Sequence, residues 1–184
     1  LSRTNSNSDS DLFLVDLQAG TAEPKLITPT DGNIQHGAYT FTVDNKALIY
    51  STNGHGEFNQ AWRYDLATAE HSAYIAADWD VSFLYFSKSG RYQVVGVNAD
   101  ARTELTITDL SSGQKLQMPA YPAGDLRGVS FSADENTMVF YVNSDTSPSN
   151  LFVWRLGTDS VAQLTQTLAA GMDAAHLVQS SIER

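Results

Sequence analysis

An all-β repeat fold is predicted for this 184-residue chain by three observations: evenly spaced aromatic residues, a second landmark that recurs with them, and strand-like periodicity between the two. Phe41, Phe86 and Phe131 lie 45 residues apart each time, and each is followed by a hydroxyl residue and a polar tight turn. Self-similarity at about 45 residues indicates one supersecondary unit that is stacked several times.

The second landmark is a short polar turn around an apolar residue, and it recurs later in each unit. Its spacing varies by a few residues, which we interpret as variation in loop length between repeats. Its aspartates are expected to bond nearby backbone N–H groups rather than to act in catalysis. The copies are Val15-Asp16-Leu17, which has no first half, Tyr64-Asp65-Leu66, Thr108-Asp109-Leu110 and Trp154-Arg155-Leu156.

Between these landmarks the sequence has the character of β-strands. Six segments rich in Val, Ile, Thr, Tyr and Phe are bounded by Gly, Asn, Asp and Ser, and each unit therefore predicts four short antiparallel strands. Units of this kind with about 40–50 residues are the blades of a β-propeller. The segments are 46–52, 59–65, 91–98, 103–109, 136–143 and 150–156, and the inner turns are Asp44-Asn45, Ser89-Gly90 and Asp134-Glu135.

The predicted fold is a partial β-propeller of about three and a half blades. Because a closed propeller needs about 4–8 blades, we interpret the chain as the C-terminal half of a larger one. A self-contained open array is the alternative, although its terminal repeats would need capping. The predicted division is a loop over 1–10 with the last two strands of a preceding blade (together 1–33), blades at 34–78, 79–123 and 124–166, and a linker at 167–184.

Composition excludes several classes of function. The chain has 21 acidic and 11 basic residues, a net charge of −10 that argues against nucleic acid as a partner. It has no cysteine, so disulfides, thiolate metal sites and a cysteine nucleophile are excluded, while cytoplasmic and bacterial periplasmic locations both stay open. No run approaches the ~18 apolar residues of a membrane span, and no targeting peptide is visible. The first residue is Leu1, which suggests an excised piece or a processed product.

No catalytic, metal-binding or cofactor-binding motif is present. The string nearest to a G-x-S-x-G nucleophile elbow runs from Gly128 to Ser132, lacks the second glycine and lies in a predicted strand, so Ser130 is interpreted as a strand residue. The stretch Asn53-Gly54-His55-Gly56 lacks the lysine and the helix of a phosphate loop. The four histidines lack metal-ligand spacing, so we expect neither a metal nor a cofactor.

The sequence of these repeats resembles the propeller repeats of the prolyl oligopeptidase family of serine peptidases. That family shares an aromatic residue, Ser-Pro-Asp-Gly-Lys, an apolar strand and a later Asp-Leu-x-Thr-Gly. Val43, Lys88 and Ala133 stand where proline is common, and only Ser89-Gly90-Arg91 keeps the glycine and the basic residue together. The same repeat text occurs in periplasmic binding propellers of the Tol translocation type.

The tail from Met172 to Arg184 breaks the repeat and distinguishes these two resemblances. It is similar to the connection from propeller to hydrolase domain in peptidases of the acylaminoacyl-peptidase and dipeptidyl-peptidase kind. A short helix from Asp173 followed by the first strand of another blade is the alternative. The paired glutamates with which dipeptidyl-peptidases hold a substrate amine have no identifiable counterpart.

The peptidase resemblance implies a propeller without catalytic residues that gates the access of peptide substrates to an α/β-hydrolase domain beyond Arg184. The loops that enter the inner strands are then expected to face the channel, with His36, Asp80 and Arg127 as candidates. Arg127 is the first choice for a contact with a substrate carboxylate, and a salt bridge to a neighbouring loop is its structural alternative. The Tol resemblance implies instead a propeller that binds protein partners and performs no chemistry.

Overall fold

The structure, a computed structural model, describes residues 1–18, 20, 22–30, 32–100 and 102–180. These residues form fifteen β-strands in four antiparallel sheets and one short 3-10 helix, and they contain no α-helix. No helix within these ranges has the length and apolar character needed to cross a membrane.

The first sheet has three strands, in the order β1-β2-β3. The loop predicted over residues 1–10 is in fact largely a strand, because β1 pairs antiparallel with β2 and Arg3 lies opposite Asp11. All five residues of β1 are exposed, so the segment carries no hydrophobic alternation from which a strand could be predicted. The strands are β1 (Ser2–Ser6), β2 (Asp9–Leu14) and β3 (Lys25–Leu26).

The other three sheets each have four strands in sequence order, and their second and third strands coincide with the six predicted segments to within a few residues. The second sheet contains β4 (His36–Phe41), β5 (Ala47–Thr52), β6 (Gln60–Asp65) and β7 (His71–Ile75). The third contains β8 (Asp80–Phe86), β9 (Tyr92–Ala99), β10 (Arg102–Asp109) and β11 (Gln114–Lys115). The fourth contains β12 (Asp125–Phe131), β13 (Thr137–Ser144), β14 (Ser147–Arg155) and β15 (Val161–Gln163).

The chain divides into two compact units, unit 1 (Leu1–Tyr85) and unit 2 (Phe86–Arg184). In unit 1 the core joins the first two sheets, since Leu12 and Ile27 cluster with Leu48, Tyr50 and Tyr64. In unit 2 most of the deeply buried side chains come from the second and third strands of each sheet, and Leu126 of the first strand β12 is buried with them. They include Val94, Ile107, Met138, Phe140, Phe152 and Trp154.

The repeated phenylalanines and the hydroxyl residues after them have a clear structural basis. Each phenylalanine is the last residue of the first strand of its sheet, and the next residue closes the inner turn. Thr42, Ser87 and Ser132 each accept a hydrogen bond from the backbone N–H five residues later, at 3.0 Å in all three turns. The recurring sequence therefore supplies a hydroxyl group that fixes the start of the second strand by a hydrogen bond.

The aspartates of the outer turns have the structural role that the sequence predicts. Asp16 accepts a hydrogen bond from the Gln18 N–H at 2.9 Å, and Asp65 accepts from the Thr68 N–H at 3.1 Å. Asp109 accepts from the Ser111 N–H at 2.9 Å. Hydrogen bonds from backbone N–H groups and from the Arg63 guanidinium lower the pKa of Asp65 to about 2, as expected for a carboxylate that caps a turn.

The tail after β15 leaves strand structure within the described residues. A 3-10 helix spans Ala174–His176, and the Asp173 carboxylate caps it by accepting a hydrogen bond from the Ala175 N–H at 2.9 Å. The short helix from Asp173 that the alternative interpretation foresaw is thus present. Residues 177–180 after it are not a strand, and 181–184, the end of the predicted linker, lie outside the described residues.

Candidate functional site at the starts of the inner strands

The first strands of the second, third and fourth sheets begin at His36, Asp80 and Asp125. Two of the predicted site residues are the first residues of such strands, and the third, Arg127, lies two residues after Asp125. His36 and Asp80 belong to unit 1, whereas Asp125 and Arg127 belong to unit 2.

His36 is held by the first sheet through its backbone. Its N–H donates to the Ser10 hydroxyl at 2.8 Å, and that hydroxyl donates to the His36 carbonyl at 2.9 Å. The residue is only 8% exposed, and both ring nitrogens are buried without a hydrogen-bond partner among the described residues. Its ring centroid lies 6.0 Å from that of Tyr50 in the unit 1 core. A substrate contact needs an accessible side chain, so the burial of His36 argues against that role.

Burial is the main influence on the charge state of His36. Desolvation lowers the pKa of this imidazole below its ordinary value, while Asp11 and Asp9 oppose the shift. His55 and His71 add to the lowering. Because a buried cation without a hydrogen-bond partner is unfavourable, the neutral ring is the form that the fold accommodates.

Asp80 fastens the start of β8 to the second sheet. Its carboxylate accepts a hydrogen bond from the Asn59 N–H at 2.7 Å, and the next residue, Val81, donates to the Asn59 carbonyl at 2.8 Å. The Tyr39 hydroxyl donates to the Val81 carbonyl, and burial raises the pKa of Tyr39 to about 12. The role that these contacts show for Asp80 is therefore a structural one.

Asp125 is the first residue of β12, as Asp80 is of β8, and it is not among the residues predicted from the sequence. It lies 45 residues after Asp80, so the repeat itself was the signal that could have found it. Its Oδ1 accepts a hydrogen bond from the Thr103 N–H at 3.2 Å. Its Oδ2 pairs with the Arg127 guanidinium at 3.1 Å. The repeat thus places a carboxylate clamp at two successive inner strands.

Arg127 is the accessible member of the predicted set, with a side chain that is 62% exposed. Its partner is Asp125 on the same strand, and the contact is a single N–O pair rather than a bidentate one. The pairing of β12 with β13 shifts register between Arg127 and Ser130, around Gly128 with φ of 59°. A bulge redirects neighbouring side chains. Guanidinium N–H donors beyond the one bonded to Asp125 are thus left exposed for a ligand.

A cavity of about 700 Å³ lies beside Asp125 in unit 2. It is bounded by the β9–β10 hairpin, the residues that enter β12, the β13–β14 hairpin and the end of the tail. Its volume is that of a small-molecule or short-peptide site. Its charged lining residues are four acids and one base, namely Asp100, Glu104, Asp125, Asp145 and Arg102.

Ser130, His55 and His71 have structural contacts among the described residues. No group of three His, Asp or Glu side chains within them could hold a metal ion. Ser130 pairs with Val139 inside the fourth sheet and is a strand residue, as predicted. His71 Nδ1 lies 2.8 Å from the Tyr50 hydroxyl, and the His55 ring stacks on Trp62 at 3.6 Å, so both histidines have structural contacts.

Comparison with known proteins shows the fold. The sequence matches no protein-family model and none of the curated proteins with which it was compared. Among solved structures it is similar to TolB from Acinetobacter baumannii, with 19% identity and a TM-score of 0.58 over 87% of this chain and 38% of that one. It is also similar to a prolyl endopeptidase from a study of inter-domain dynamics in catalysis and specificity. That match has 13% identity and a TM-score of 0.64 over 86% of this chain and 23% of that one.

These matches confirm that the chain has the all-β, partial β-propeller fold, built from four-stranded antiparallel blades. The chain spans well under half of the length of either protein. At such low sequence identity, structural similarity establishes the architecture but not the activity, since propellers carry many unrelated functions.

Proposed function

We propose that this chain is the non-catalytic propeller portion of a serine peptidase of the prolyl oligopeptidase family, which gates the access of peptides to an α/β-hydrolase domain of the same polypeptide. The likeness to a prolyl endopeptidase over 86% of the chain supports this proposal. In such an enzyme the chemistry belongs to the other domain, so this chain needs no G-x-S-x-G elbow of its own.

The observation that carries the proposal is the course of the tail. After β15 the chain leaves the repeat, forms the 3-10 helix and brings Ser180 against Asp145, just beyond the end of β13. Asp125, the first residue of β12, is opposite Asn143 in the register, so this is also the end at which β12 begins. The tail is thus fastened where the inner strand starts, which suits a connection that leads out of the propeller on that side.

Gating acts on selectivity rather than on the chemical barrier. A propeller that covers a hydrolase site admits short, flexible peptides and excludes folded proteins, because only an extended chain can reach the nucleophile. The acidic excess of the chain, 21 acids against 11 bases, repels anionic macromolecules as well.

The proposal is tested on the complete gene product that contains this chain. We expect a fluorophosphonate probe to label one serine in a G-x-S-x-G sequence downstream of residue 184, and peptides of about ten residues to be cleaved while a folded protein of similar sequence is not. A gene product that is not labelled and has no such serine would contradict the peptidase assignment. Labelling with equal cleavage of folded proteins would contradict the gate alone.

Arg127 offers a sharper test of a substrate contact. We expect Arg127→Ala to lower kcat/KM for peptides with a free C-terminal carboxylate by about 10-fold or more, the effect of losing a hydrogen bond to a charged group. C-terminally amidated peptides should be unaffected. The matched control is Arg63→Ala, since Arg63 pairs with Asp65 two residues away just as Arg127 pairs with Asp125. Equal turnover of both peptide types by Arg127→Ala and the parent protein would dispose of this role.

A second candidate function is a binding propeller of the Tol type, which the match to TolB over 87% of the chain favours. In that case the start of β12 and the cavity beside Asp125 in unit 2 would face a protein partner, and no serine-directed probe would react. The labelling experiment above therefore distinguishes the two functions.

A further inference from the structure

The end of the tail, residues Leu177–Ser180, lies against the β13–β14 hairpin, and we call it the strap. Ser180 is fastened to Asp145 at the hairpin tip by two hydrogen bonds, one from its N–H at 2.9 Å and one from its hydroxyl at 2.5 Å. Both bonds end on the same carboxylate oxygen, Oδ2. A single side chain outside the tail thus holds both donors of Ser180.

The strap also forms part of the wall of the 700 Å³ cavity, because Gln179 and Ser180 line it together with Asp145. Little of the strap is buried, since Val178 is 84% exposed and Leu177 alone is half-buried. A segment with few apolar contacts belongs to the parts of a protein that open most easily. The fastening of the strap therefore depends on polar contacts at Asp145 more than on packing.

We propose that the strap is a releasable cover of this cavity and that Asp145 is its catch. When the strap is seated, Ser180 satisfies the Asp145 carboxylate and closes one side of the cavity. When it leaves, the carboxylate turns to the cavity and joins Glu104 and Asp125 as an acceptor. The atoms that Ser180 contributes define the class of ligand that can replace it, which is an extended peptide segment that presents a backbone N–H and a hydroxyl.

The absence of cysteine from the chain allows a direct measurement of cover opening. A cysteine introduced by Ala99→Cys, at a half-buried position in the cavity wall, is the single thiol of this chain, and its rate of alkylation reports access to the cavity. We expect Asp145→Asn to raise that rate roughly 10-fold, because an amide oxygen replaces a charged acceptor of two hydrogen bonds. Asp159→Asn, the same change at an exposed position in the turn before β15, is the matched control and should leave the rate unchanged.

Two further measurements keep the proposal falsifiable if a cysteine variant folds poorly. Hydrogen exchange at the Ser180 amide should be slowed in the parent protein and accelerated by Asp145→Asn, with Ser180→Ala intermediate because it keeps the N–H donor. The acetylated and amidated peptide Leu-Val-Gln-Ser, added in trans, should accelerate exchange at the tethered Ser180. Equal alkylation rates in Asp145→Asn and Asp159→Asn, an unprotected Ser180 amide in the parent, or no effect of the peptide would each overturn the proposal.

Discussion

Replacing Phe140 by alanine is expected to destabilise unit 2 by about 3–5 kcal/mol, the range for truncation of a buried aromatic side chain. Phe140 lies in β13 with no solvent exposure, opposite Phe152 in the register of β14. The two rings stack with centroids 5.8 Å apart, and the Tyr121 ring meets Phe140 edge-on at 5.8 Å. Alanine would leave a cavity between these aromatic groups that a sheet fixed by backbone hydrogen bonds cannot close.

The adjacent Tyr141 provides the control for this prediction. It belongs to the same strand, points to the opposite face and is 45% exposed, so Tyr141→Ala should cost about 1 kcal/mol or less. Urea-induced unfolding followed by near- and far-ultraviolet circular dichroism measures both variants. Similar unfolding midpoints for Phe140→Ala and the parent protein, or an equal loss in Tyr141→Ala, would show that the core of unit 2 does not depend on this ring.

The repeat, the second and third strands and the turn aspartates were predictable because their causes are local. Hydrophobic alternation spans a single strand, and a turn aspartate such as Asp65 bonds to a backbone N–H only three residues away. Such signals need no knowledge of which sheets are neighbours. The strand β1 escaped prediction for the same reason, since its exposed residues are held by pairing with β2 and not by an apolar pattern of their own.

The contacts between sheets could not be predicted from local patterns. Glu135 reads in the sequence as a turn residue, yet its carboxylate is buried and accepts hydrogen bonds from the Ser89 N–H at 2.7 Å and the Ser89 hydroxyl at 2.6 Å. It also adopts a positive φ of 54°, which a non-glycine residue tolerates only when its surroundings compensate. Its two partners lie 46 residues away in the chain. The seating of Ser180 on Asp145, 35 residues apart, is non-local in the same way.

The stability of unit 1 is expected to fall as the pH drops below about 6.5, and His36→Leu should remove much of that loss. Burial lowers the folded-state pKa of His36, so between that lowered value and the ordinary 6.5 the unfolded chain binds a proton that the folded chain does not. The contribution of His36 to the free energy of unfolding is thus fully present above pH 6.5, and it is lost as the pH falls towards the pKa of the folded state. Each pKa unit of difference corresponds to about 1.4 kcal/mol.

Leucine at position 36 keeps most of the volume and removes both unpartnered nitrogens, so unit 1 should also be no less stable at pH 8. The titratable groups that act on the imidazole, Asp9 and Asp11 together with His55 and His71, stay in place and leave a smaller residual pH dependence. Thermal unfolding between pH 5 and pH 8 measures the slope. The control is His176→Leu, because His176 lies in the 3-10 helix of the tail with an exposed side chain. If His36→Leu keeps the full slope of the parent protein, or His176→Leu abolishes it, the buried imidazole is not the group that titrates, and the acid sensitivity of unit 1 has another source.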